Sequence, residues 1–138
     1  MSAVELCTAP LARQVGEFNH QVDGLREERS TVRAAALARQ AQEILRFAQD
    51  TESRNIDRAL VESDFDFEAE QAELRAIRSG FAGLVLTMHE AFFELFEQDS
   101  RRELVQIAHL ALRAPTVTSE GLEVIRRGMA EVLAARPH

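Results

Sequence analysis

Apolar residues recur along this chain in alternating steps of three and four, the repeat of helices that pack along one face. The first run is Leu11, Val15, Phe18, Val22 and Leu25, followed by Arg29, Val32 and Ala36. It predicts a helix opening at Thr8 with Pro10 in its first turn, where a missing N–H costs nothing. Arg29 stands on the seam itself, and Gly16 and Gly24 each weaken the helix by about 1 kcal/mol relative to Ala. A break or bend is expected within residues 23–31, with Ser30 or Thr31 capping a second helix. Leu37, Ala41, Ile44 and Ala48 continue an apolar face, which Ile56 and Leu60 resume beyond the polar stretch 49–55.

Ser63, with Asp66 three residues on, marks the next helix start, acids being favoured in a first turn. Phe67, Leu74, Ile77, Phe81, Leu84, Met88, Ala91 and Leu95 repeat the three-four spacing, with Glu70 as a gap. Residues 81–96 are the most apolar part of the chain and cover more than one stripe. Such a helix is central in a bundle or faces two partners. Ser79 and Gly80 allow an interruption there. Asp99 and Ser100 predict a turn and cap before a short helix over 101–113, ended by Pro115. Thr118 caps the last helix, and Val117 with Leu122 matches a hydrophobic staple. Leu122, Ile125, Met129, Val132 and Leu133 are its expected buried face. Proline occurs only at positions 10, 115 and 137, and no stretch alternates with period two. The expectation is an all-α, single-domain bundle of four to six helices with long coiled-coil-like segments. It spans 1–138, with 1–8 and 136–138 as flexible ends.

Composition agrees. A chain of 138 residues, 46% hydrophobic, is long enough to bury a core. No segment approaches the ~18 uncharged apolar residues of a membrane span, and residues 1–14 lack a basic region followed by an apolar one, so no secretory signal is expected. One cysteine, Cys7, builds neither a disulfide framework nor a thiolate zinc site, which suits a reducing cytoplasm. All basic residues are Arg, and Ala is abundant, a usage that fits a GC-rich bacterial genome.

Charge is unevenly placed. Residues 62–100 hold 2 Arg against 10 acids, whereas residues 101–138 hold 6 Arg against 4. The net charge of −7 disfavours generic nucleic-acid binding. All eight aromatics are Phe, so the amphipathic Tyr and Trp that often anchor binding sites are missing.

Three constellations carry candidate chemistry. The acidic segment 62–70 resembles a calcium loop only superficially, since counting from Asp64 puts Ala69 where glycine is needed and Arg75 where a bidentate Glu is needed. On a helix, Glu62, Asp66, Glu70 and Glu73 share a face, to be paired with Arg26, Arg29 and Arg33 or to dock a basic partner. A hairpin turning at 99–100 brings His89 and His109 to similar heights, with Glu90 and Glu94 nearby, a conceivable divalent-metal set. Against it, the Glu-x-x-His spacing of di-iron bundles is absent and four histidines are too few for a hemerythrin-like site.

Arg102 and His109 lie nearly two turns apart on one helix face. Their spacing resembles the Arg-x4–6-His element of HEPN-type ribonucleases. That resemblance covers eight residues and implies an Arg–His pair repeated across a dimer and acting on RNA. The C-terminal helices also permit a helix-turn-helix, but Glu120 and Glu123 would stand where phosphates bind. Phosphate loops, nucleophile elbows and paired Cys/His zinc spacings are missing, and Cys7 has no activating neighbour in sequence.

The functional expectation is a non-enzymatic helical protein-interaction module, such as an adaptor, scaffold subunit or small chaperone, needing no cofactor. It is expected to form a homodimer through Phe81, Leu84, Val85, Phe92, Phe93 and Phe96. The alternatives are an Arg102–His109 ribonuclease and a metal site at His89, His109 and Glu90.

Overall fold

A computed structural model describes residues 8–113 and 117–135, so the expectations that rest on Cys7, on Pro115 and on 136–138 lie outside the described residues. Within them the chain forms five α-helices: α1 (Ala9–Glu27), α2 (Thr31–Val61), α3 (Phe67–Ala91), α4 (Gln98–Leu112) and α5 (Ser119–Ala135). A 3₁₀ turn at Phe93–Leu95 joins α3 to α4. No described helix is long and apolar enough to cross a membrane.

Helix starts follow the side chains that satisfy their orphan N–H groups. Ser30 Oγ accepts from the Arg33 N–H at 3.2 Å and opens α2. Asp66 Oδ1 accepts from the Ala69 N–H at 3.1 Å and opens α3, so Asp66 rather than Ser63 is the cap. Thr118 Oγ1 accepts from the Gly121 N–H at 3.0 Å and opens α5. The start of α4 differs from expectation. Asp99 and Ser100 do not cap it. They lie inside its first turn, where the Asp99 carboxylate meets the positive end of the helix dipole. The chain reverses earlier, between Phe92 and Glu97.

Two stretches that could have broken do not. α2 runs unbroken through 49–55, because Thr51 and Asn55 fall on its buried seam. α3 runs through Ser79 and Gly80, and the Glu70 gap in its seam is filled by Glu70 itself, which is buried. The first seam, in contrast, stops at Leu25. Glu28 is extended, the register is lost, and Val32 is 77% exposed.

α1 to α4 form the bundle. Phe18, Leu25, Ile44, Leu74, Phe81, Met88, Leu104 and Ile107 fill its core. Phe18 meets Phe81 edge to face, with ring centroids 5.6 Å apart. α2, with 31 residues, is about 46 Å long, whereas α4, with 15, is about 22 Å. The C-terminal part of α2 therefore overhangs. There Ala59, Phe67 and Leu122 make a second, small core with Ile56, Phe65 and Val117 around it.

A polar layer lies on the α2–α3 seam. Asn55 donates to Gln71 Oε1 at 3.3 Å, and Gln71 donates to Glu52 Oε2 at 3.1 Å and to the Val117 carbonyl at 3.0 Å. Arg78, also buried, donates to the carbonyls of Leu110 and Ala111 at the C-terminus of α4, supplying the last turn with donors and positive charge. Burial holds its pKa below the ordinary guanidinium value, and the Glu52 carboxylate opposes that shift.

Candidate functional site

The sequence-predicted residues do not assemble as expected. Phe81, Val85, Phe92 and Phe96 are buried inside the chain's own core, and Leu84 packs against it half-buried. Of the six expected interface residues only Phe93 is exposed, at 47%. Most of the apolar surface of 81–96 is thus covered by α1, α2 and α4, with Leu86 and Phe93 left exposed.

The acidic face also dissolves. Glu62 accepts from Arg58 at 2.8 Å, Asp66 caps α3, Glu70 is buried, and only Glu73 is left as an exposed carboxylate outside those roles. The arginines expected opposite it pair elsewhere: Arg26 with Asp23, Arg33 with Glu28, and Arg29 with Glu94 while stacked on Phe92.

His89 and His109 are not level. With the reversal at residues 92–97, His89 lies in the last turn of α3 and His109 in the last turn of α4. Counted from the hairpin, they differ by about nine residues, or about 13 Å of helix rise. Among the described residues, no three His, Cys, Asp or Glu side chains are grouped to hold a metal, so Glu90 adds no third ligand.

Both histidines nevertheless border one long groove between α3 and α4. Phe93 and Val105 give it apolar ground, and Gln98, Arg101, Arg102 and His109 line its α4 side, with Gln106. Arg102 and His109 therefore share this groove, about 10 Å apart along the helix axis.

Arg101 is held in place. Its guanidinium lies 3.8 Å from the Phe93 ring centroid, and its Nε donates to the Phe93 carbonyl at 3.0 Å. His89 also meets that ring, edge to face, with ring centroids 5.4 Å apart. Among the described residues no carboxylate lines the groove. Glu94, Glu97 and Glu103 border a different groove, on the α2 side, beside Arg39 and Arg46. The sequence reading found His89, Arg102 and His109 but missed Arg101 and Val105. The spacing 98, 101, 102, 105, 106, 109 is one face of a helix and was the available signal.

A second surface lies on α5. Only Leu122 is buried there, and Arg126 donates to the Ala59 carbonyl. Ile125, Met129, Val132 and Leu133, expected inside, are all exposed. Comparison with protein-family models, curated proteins and solved structures finds no match.

Proposed function

We propose that the chain is a non-enzymatic protein-interaction module that self-associates through α5. The observation that carries this reading is the outward apolar seam of that helix. Leu122, Ile125, Met129 and Val132 keep the three-four-three spacing of a coiled-coil face, yet among the described residues only Leu122 of these is buried.

The occupant is a second copy. Such a seam is self-complementary, and a two-fold axis lets one α5 lie along another. From their fractional exposures, Ile125, Met129, Val132 and Leu133 present roughly 400 Å² per copy. Doubled across a two-fold axis and extended by flanking residues, this reaches the ~1,000 Å² that a specific interface needs.

Light scattering at micromolar concentration tests the reading. The expected mass is a dimer, converted to monomer by Met129→Glu with helical circular dichroism retained. Phe93→Glu, on the separate α3–α4 groove, is expected to leave the dimer intact. A wild-type monomer that persists on concentration overturns self-association. A dimer that survives Met129→Glu overturns its assignment to α5.

A further inference from the structure

The α3–α4 groove has features that self-association through α5 leaves unused. It is long and shallow. From Gln98 to His109 its α4 side covers eleven residue steps, about 16 Å or three helical turns. Its ground is apolar at Phe93 and Val105, which are both nearly half exposed. Leu86, one turn before His89 on α3 and also exposed, extends the same stripe.

The rim is cationic. Neither Arg101 nor Arg102 has a carboxylate partner within the described residues, although acids outnumber arginines 23 to 16 in the chain. Around α4, Glu97 and Glu103 border the groove towards α2, Arg101 and Arg102 border this one, and Asp99 in the first turn borders neither. Both arginines also sit near the N-terminal end of α4, the end where a helix dipole disfavours cations. Phe93 accounts for Arg101, whereas the helix dipole gives no reason for Arg102, and an arriving carboxylate would be drawn to both arginines and to the helix end. Arg101 spends its Nε–H on the Phe93 carbonyl, which leaves the N–H groups of its two terminal nitrogens to bind a carboxylate.

We infer that this groove docks an acidic amphipathic helix of a partner protein, with apolar anchors on Phe93 and Val105 and carboxylates on Arg101 and Arg102. The inference rests on the interaction reading but not on α5. A groove about three turns long, with apolar ground at Phe93 and Val105 and one sign of charge on its rim, matches helix-in-groove recognition, in which apolar anchors recur on one face of the bound helix. An extended chain would ask for unpaired backbone donors and acceptors along the groove, and two α-helices present none.

The test uses the full chain, labelled with nitrogen-15, and two synthetic helical peptides of about 14 residues. Both carry Leu at the anchor positions; one has Glu on its flanks and the other Lys. The Glu peptide is expected to saturate with Kd below about 1 mM, to weaken as salt rises, and to shift amides of residues 89–109. The Lys peptide is expected to bind at least about tenfold more weakly. Arg102→Glu, at an exposed position, is expected to keep the fold and lose about tenfold for the Glu peptide. Arg101→Glu/Arg102→Glu is expected to reverse the preference. Failure of the Glu peptide to saturate, equal binding of both peptides, or shifts confined to α5 overturns the inference. Monomer or dimer mass, read on the same samples, reports the α5 reading separately.

Discussion

Replacing Phe81 with Ala probes the centre of the bundle. The ring is 1% exposed and packs edge to face on Phe18, itself fully buried. Truncating a core Phe to Ala costs about 3–5 kcal/mol, through lost transfer free energy and the cavity left behind. About 1 kcal/mol of that belongs to the aromatic pair. Domains of this kind are stable by only about 5–15 kcal/mol, so the loss is a large share of the whole. For a chain of this size it lowers Tm by roughly 10–20 °C. The control is Phe93→Ala. Phe93 is 47% exposed, so its half-buried ring, with its contacts to His89 and Arg101, is worth only about 1–2 kcal/mol. Urea denaturation followed by helical circular dichroism measures both variants, at two protein concentrations so that dissociation is separated from unfolding. A Phe81→Ala loss below about 1 kcal/mol, or equal losses for the two phenylalanines, refutes the packing described above.

Arg78→Leu removes both donors from the Leu110 and Ala111 carbonyls. Relief from holding a buried cation offsets part of the loss, so about 1–3 kcal/mol of destabilisation is expected, with hydrogen exchange accelerated first in the last turn of α4; unchanged exchange there refutes the capping role. Gln71→Leu strands Asn55 and the Val117 carbonyl and is expected to cost about 1–3 kcal/mol, whereas Asn55→Leu added to it recovers part of that loss. A double-mutant cycle by urea denaturation checks the pair, and strict additivity refutes the coupling.

Helix number, order and most caps were legible because each rests on a local signal. Ser30, Asp66 and Thr118 lie one residue before a periodic run, and a cap needs only backbone N–H groups within reach. The α4 start misled because Asp99 and Ser100 suit a cap and a first turn about equally. That error moved the hairpin reversal by several residues and wrongly levelled His89 with His109. Thr51, Asn55 and Glu70 read as interruptions because polarity alone does not show whether a partner stands opposite. Gln71 is that partner for Asn55, sixteen residues further on, and no local window contains both. The α3–α4 groove was half legible. His89, Arg102 and His109 drew notice as reactive types, but Arg101 gains its place from stacking on Phe93 across the hairpin. The apolar excess of 81–96 was real in the sequence, yet three neighbouring helices cover most of it.

The outward face of α5 follows from where the bundle runs out of partners. The main core gives way to the layer of Thr51, Asn55, Glu70 and Gln71, beyond which only the end of α2 and the start of α3 continue. Gln71 fixes the Val117 carbonyl just before α5, Leu122 fills the small core, and Arg126 reaches the Ala59 carbonyl. α2 ends two residues later, at Val61, and after Leu122 no residue of α5 is buried. A helix seam pays no attention to which chain supplies the opposite helix, since the same spacing of Leu, Ile, Met and Val suits either. Periodicity thus identifies an apolar face, and the length of the neighbouring helices decides whether that face is filled from within. In this chain the second core ends one turn into α5, and the apolar surface beyond it is left uncovered by the described residues.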